Sequence, residues 1–234
     1  MELLADGRID LTNINIIYED NHLLVVEKPV NVLTQGDITG DKDLLTILKE
    51  DIKERHNKPG NVFLGLVHRL DRPVGGVMVF AKTSKAASRL SEQIRVGEFK
   101  KTYLAVVYGT PDISEGRLEH YLAKDREMNK TYIVNNGKKG GKKAILEYEI
   151  SNSVENMSLV KINLITGRSH QIRIQFATIG HPLFGDQKYS EGVSKPGEQL
   201  ALWSYGIVLT HPVKRENMVF KCNPPITYPW NIFE

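Results

Sequence analysis

Val62-Phe63-Leu64-Gly65-Leu66-Val67-His68-Arg69-Leu70-Asp71-Arg72-Pro73-Val74-Gly75-Gly76-Val77-Met78-Val79-Phe80-Ala81 joins two unlike kinds of sequence. Val62 to Val67 and Val77 to Ala81 are apolar runs of strand length, bounded by turn residues, and read as buried strands. Between them stand four ionisable side chains, His68, Arg69, Asp71 and Arg72, with Pro73, Gly75 and Gly76 shaping the return. A charged turn joining two buried strands is the element around which the rest of the chain is read.

Upstream, Asn15 to Tyr18 and Leu23 to Glu27 are strand-like stretches separated by Asp20-Asn21, an opening hairpin. Leu44, Leu45, Leu48 and Ile52 recur at helical spacing, and Ser84 is a plausible N-cap for a second helix carrying Ala87, Leu90 and Ile94. Downstream, Thr102–Tyr108, Arg117–Leu122, Thr131–Asn135, Ala144–Ile150, Leu159–Ile165, Leu200–Leu209 and Met218–Cys222 have strand character. One helix interrupts them, from about Ser169 to Ile179, stopped by Gly180 and Pro182. Strands in runs, broken by a few helices without regular alternation, predict an α+β fold on a mostly antiparallel sheet. No repeat, low-complexity tract or linker divides the chain, so residues 1–234 are expected to form a single catalytic-type domain, with two sheet halves meeting at a central basic cleft.

Composition narrows the class. With 234 residues, 41% hydrophobic and 25% charged, the chain can bury one sizeable core, which excludes disorder, collagen and coiled coil. Its one cysteine, Cys222, cannot close an internal disulfide or supply a four-thiolate zinc site. The N-terminus lacks a basic stretch followed by an apolar one, and no apolar run is long enough to span a bilayer. A cytoplasmic protein without a membrane partner is the expectation. The net charge of +3 is mild, but residues 124–143 hold seven basic side chains (Lys124, Arg126, Lys130, Lys138, Lys139, Lys142, Lys143) against Asp125 and Glu127. Gathered around Gly137, Gly140 and Gly141, these suit a hairpin tip that meets a polyanion; the alternative is a solvated turn.

Three further features bear on chemistry. A carboxylate between two arginines where the core opens, Asp71, is a candidate nucleophile or general base, the alternative being a salt-bridged turn. Thr166-Gly167-Arg168-Ser169-His170-Gln171-Ile172-Arg173 places Arg168, His170 and Arg173 in the first turns of a helix, with His170 and Arg173 on one side, away from Ile172 and Phe176. That arrangement suits a phosphate or a carboxylate partner. Tyr103, beside Lys100 and Lys101, is a candidate ring for stacking on a base, although a strand tyrosine also serves as core. His68, Asp71, His170, His181, Asp186 and His211 are scattered without metal-ligand spacing, so no metal is expected.

In this order, these segments resemble the RluA family of RNA pseudouridine synthases. The resemblance rests on Pro29, His68-Arg69-Leu70-Asp71, Lys101 to Gly109, Gly167 to Arg173, and Gly180-His181-Pro182-Leu183-Phe184-Gly185-Asp186 with Tyr189, and covers about Ile14 to Pro212. It implies the pseudouridine synthase catalytic fold and a cofactor-free isomerisation that detaches uracil from ribose, turns it and rejoins it through a ring carbon. It implies Asp71 as the catalytic nucleophile, with the chemical route left open, and Arg173 as the basic residue pairing with that carboxylate. By the same resemblance Tyr103 stacks on the uracil, Leu202 forms an apolar wall, and Arg69 fills the space left by a flipped uridine. Arg168, His170, Lys138, Lys139, Lys142 and Lys143 are the remaining RNA-binding candidates. Departures are visible: Val74-Gly75-Gly76 replaces the hydroxyl-bearing residues usual after the catalytic motif, and Gln175 and Trp203 stand where a histidine is common. The residues before Ile14 are too few for an accessory RNA-binding domain. The partner implied is ribosomal or transfer RNA, with a monomer as the default. A catalytically silent RNA-binding module is the main alternative, and a metal-dependent hydrolase a more distant one.

Overall fold

The computed structural model describes residues 14–234. In chain order its elements are β1 (Ile16–Glu19), β2 (Leu23–Lys28), α1 (Leu44–Arg55), β3 (Gly65–Leu66), β4 (Gly75–Ala81), α2 (Ser84–Val96), β5 (Lys100–Tyr108), β6 (Glu115–Asp125), β7 (Lys130–Val134), β8 (Lys142–Val154), β9 (Met157–Leu164), α3 (Gln171–Thr178), β10 (Leu202–Thr210), β11 (Asn217–Lys221) and a terminal 3-10 turn, Trp230–Phe233. They fall into two compact units: residues up to Phe99 with Leu209–Cys222, and Lys100–Val208 with Asn223–Glu234. The expectation about residues before Ile14 lies outside the described part of the chain.

In the first unit β2 lies between β1 and β4, all antiparallel, and the two-residue β3 adds to the end of β4. Val77 to Ala81 have no exposed surface, as an unbroken apolar run requires. The β1–β2 turn is tied by Asp20, whose Oδ1 accepts from the amides of His22 and Leu23 at 2.7 and 2.8 Å. Its Oδ2 lies 2.9 Å from Nε2 of buried His211, whose Nδ1 accepts from the amides of Val213 and Lys214. This pair of interactions joins the first hairpin to the turn leading into β11.

Two expectations need correction here. The strand predicted over Val62–Val67 shrinks to Gly65–Leu66, and Phe63 is 52% exposed. An apolar run specifies burial, but a strand also needs a partner edge, and this run meets β4 only at Ala81 and Phe80. The N-cap of α2 is Thr83, whose Oγ1 accepts from the Ala86 amide at 3.1 Å; Ser84 is the first helical residue.

The second unit is an antiparallel sheet in the order β10-β5-β9-β8-β6-β7. One face of β5 carries Tyr103, Ala105 and Val107, while Val106 on the other joins Met157, Phe184 and Ala201, covered by Trp230, Ile232 and Phe233. Phe176 of α3 meets Tyr148 of β8 edge-on, ring centroids 5.4 Å apart. The helix ends in a Schellman arrangement: Gly180 at φ +85° donates to Ala177 O, and the His181 amide to Phe176 O. It starts later than predicted, at Gln171, with His170 outside it in the left-handed region at φ 52°. Nor does α3 divide into polar and apolar sides. Gln171, Ile172, Arg173, Gln175 and Phe176 are all buried.

Candidate active site

Asp71 sits half-buried on the turn between β3 and β4, which is fixed from below. Thr34, 4% exposed, donates its hydroxyl proton to Leu70 O at 2.8 Å and accepts from the Leu70 amide at 3.3 Å. The Val74 amide closes the turn on Asp71 O at 3.0 Å. Lys28, the last residue of β2, is fully buried, and its ammonium donates to the carbonyls of Pro29, Arg72 and Val74 at 2.8, 3.2 and 2.8 Å. Burial pushes this ammonium down to about 7, with the charge of Asp71 pulling it up and that of Arg72 down. The hydroxyls missing from Val74-Gly75-Gly76 are thus not needed to hold the turn, because its carbonyls are gathered by an internal cation. Beside it, His68 Nε2 accepts from the Val79 amide at 3.0 Å, and Arg72 reaches Asn31 O and the Asp41 carboxylate. Arg69 is exposed.

Sequence reasoning passed over Lys28. A signal existed: in Leu23-Leu24-Val25-Val26-Glu27-Lys28 the two-residue period puts Lys28 on the face of Leu24 and Val26, which is buried.

In the second unit Arg173 is buried and clasped by Asp186, which has no exposed surface. Nε donates to Oδ2 at 2.7 Å and one terminal nitrogen to Oδ1 at 2.6 Å, a two-pronged pair. Oδ1 also accepts from the amides of Lys188 and Tyr189. The guanidinium lies 5.3 Å from the centroid of the Tyr189 ring. The Tyr189 hydroxyl accepts from the Thr131 amide at 2.8 Å and is 2.7 Å from His170 Nδ1. Arg173 is therefore held in one geometry by a carboxylate and a ring that are themselves anchored. Within this unit the carboxylate that holds Arg173 is Asp186, which the sequence reading places only among scattered histidines and aspartates. The backbone brings Asp186 there through Gly185, which at φ +73° has no room for a side chain: a Cβ would stand 2.2 Å from Gln199 O.

His170, placed among the RNA-binding candidates, is 8% exposed and engaged with Tyr189, so its ring is part of this cage. Arg168 is exposed, and its Nε donates to Lys143 O at 2.9 Å. Tyr103 and Leu202, 6% and 5% exposed, share one face: Tyr103 pairs with Ser204 and Ala105 with Leu202, making the two diagonal neighbours on adjacent strands. Gln175 Nε2 donates to Leu118 O at 3.1 Å and lies 3.0 Å from His120 Nδ1, and Trp203 is buried. Lys138, Lys139, Lys142 and Lys143 all emerge at the β7–β8 tip, turned by Gly137 and Gly140 at positive φ. Lys143 is paired there with Glu119 at 2.5 Å. Among the described residues no three histidine, cysteine or acidic side chains gather as a metal ion would require.

One unit thus holds a carboxylate on a braced turn, and the other an arginine in a rigid cage. The RNA pseudouridylate synthase family model matches residues 22–178. The chain is 34% identical over 213 residues to the dual-specificity RNA pseudouridine synthase RluA of Escherichia coli strain K12, covering 88% of this chain and 91% of that protein. It is 36% identical over 228 residues to an uncharacterised RNA pseudouridine synthase of Aquifex aeolicus, covering 92% and 71%. The solved structure of human RNA pseudouridylate synthase domain containing 4 has the same fold, with a TM-score of 0.76 at 24% identity over 90% of this chain and 88% of that one. The chain belongs to the RluA-type RNA pseudouridine synthases, and it is an isomerase.

Proposed function

We propose that this synthase acts on structured ribosomal or transfer RNA in the cytoplasm, with Asp71 as its nucleophile. The observation that carries the assignment of Asp71 is the bracing of its turn by buried Lys28 and Thr34. A surface ion pair needs no such foundation, whereas a nucleophile gains from being held in register with its target. Asp71 forms or directs the bond change at the uridine. Tyr103 receives the uracil ring, and Leu202 walls it. Arg173, kept rigid by Asp186 and Tyr189, supplies a fixed positive charge to the reacting nucleotide. A base inside an RNA stem must leave the stack to be turned, and exposed Arg69 fills the space it vacates. Lys138, Lys139 and Lys142 at the β7–β8 tip, with Arg168, meet RNA phosphates and add a salt-sensitive, sequence-independent share of affinity.

The test is to express wild type and Asp71→Asn in cells lacking their own RluA-type enzymes and to map pseudouridine across total RNA. The expected result is one or a few new sites with wild type and none with Asp71→Asn, at unchanged melting temperature and RNA affinity. Modification by the variant at the wild-type level would overturn the assignment of Asp71.

A further inference from the structure

Lys101 is a further cation that loses water in the fold. It lies on β5 two residues before Tyr103, on the same face of the strand, at a spacing of roughly 6–7 Å along the chain. Its side chain is half-buried, and that burial lowers its pKa with no hydrogen bond or charge acting against it. Other lysines in this protein that lose water gain partners: Lys28 has three carbonyls, and Lys82 has Glu19 at 2.6 Å. Burying a positive charge without a partner costs stability, and such a cost persists at sites where a ligand supplies the missing charge.

The ammonium also lies against the backbone of Gly167. A Cβ on Gly167 would stand 3.1 Å from Lys101 Nζ, so the lysine occupies the space that the absent side chain leaves. The turn containing Gly167 has little freedom to retreat. Thr166 Oγ1 donates to Gln171 Oε1 at 2.8 Å, the Arg168 amide donates to the same oxygen at 3.1 Å, and Arg168 Nε is tied to Lys143 O. A partly desolvated ammonium against the Gly167 turn, on the strand face that carries Tyr103, fits a compact anion near a stacked base.

From this we infer that Lys101 binds a backbone phosphate of the RNA at the nucleotide whose base Tyr103 receives, or at its immediate neighbour. The inference rests on the reading of Tyr103 as the base-stacking residue. A phosphodiester carries a full negative charge and is present at every step of the chain, whereas a neutral uracil carbonyl would only partly offset the buried ammonium. Lys101 thus positions the substrate and takes no part in bond making.

The experiment measures pseudouridine formation by mass spectrometry on total RNA from cells lacking RluA-type enzymes, as a function of RNA and KCl concentration. It compares wild type with Lys101→Met, Lys101→Arg, Gly167→Ala and Tyr103→Ala. Lys101→Met keeps the length of the side chain and removes the buried charge, so its melting temperature is expected to stay at or above that of wild type. Its KM is expected to rise about tenfold with kcat within about threefold, and the slope of log(kcat/KM) against log[KCl] to become shallower by roughly 0.7–0.9, the loss of one phosphate contact. Lys101→Arg keeps the salt slope, and Gly167→Ala raises KM by a smaller factor. An unchanged KM and slope in Lys101→Met overturns the inference, and so does a fall in kcat with an unchanged slope, which would put Lys101 on the reacting base. Tyr103→Ala separates the two readings: a kcat equal to wild type removes the stacking role of Tyr103, while the slope in Lys101→Met still decides whether Lys101 meets phosphate.

Discussion

Replacing Lys28 by Met tests whether the turn of Asp71 is held by an internal cation. The variant removes the donor from three carbonyls, those of Pro29, Arg72 and Val74. Each hydrogen bond from a charged donor is worth roughly 1.5–3 kcal/mol net. Opposing this, burial brings the ammonium from 10.5 to about 7, a penalty of about 5 kcal/mol at and below neutral pH. The two contributions offset in part at pH 7, so Lys28→Met is expected to be between about as stable as wild type and about 4 kcal/mol less stable there. Their pH dependence does not cancel. Above about 7 the folded protein releases the Lys28 proton while the unfolded chain keeps it up to 10.5, so the unfolded state binds more protons and stability rises with pH in that window. The lead of wild type over the variant should therefore grow by about 2.3 kcal/mol between pH 7 and 9, or roughly 5–9 °C in melting temperature for a chain of this size. Calorimetry of both proteins from pH 6 to 10 reads this difference directly, other titrating groups being common to both. At pH 7 the variant should lose about 10²-fold in kcat, because a turn without its donor lets Asp71 drift. A stability difference that is flat from pH 6 to 10, or a kcat within twofold of wild type, would refute the reasoning.

Asp186→Asn removes the buried charge that clasps the Arg173 guanidinium and should cost about 3–5 kcal/mol in denaturant unfolding, with product formation falling in parallel. Gly185→Ala places a methyl 2.2 Å from Gln199 O at a positive φ, so the folded yield should collapse or the melting temperature fall by 10 °C or more, roughly. Changing Lys138, Lys139 and Lys142 together to Gln should leave thermal stability unaltered and flatten the salt dependence of RNA binding by up to roughly two units of slope, as measured by filter binding.

The β-rich plan, the placement of most strands and the segments that carry Asp71, Tyr103 and Arg173 were legible because each is encoded locally. Val77 to Ala81 is an unbroken apolar run, Thr102–Tyr108 is strand-like, and Gly180 ends a helix by its own backbone preference. Resemblance then suggested roles that spacing alone left open, as with Tyr103, which on pattern alone was more readily a core residue.

Other features depended on partners distant in the chain. Val62–Val67 looks like a strand, but pairing is decided by which edge is free, and only Gly65–Leu66 finds one. Arg173 looks like one half of an exposed basic pair, yet α3 is buried on nearly every side, and the charge is matched by Asp186, brought back by the Gly185 turn. Lys28 looks like the polar end of a strand, and only the arrival of Arg72 and Val74, more than forty positions later, makes it the anchor of the Asp71 turn. The sequence by itself determined the elements and the chemical groups available, since backbone preference and hydrophobic period act over a few residues. The tertiary structure alone decided which buried charge meets which partner, because desolvation and hydrogen bonding depend on distances in space that no local pattern records.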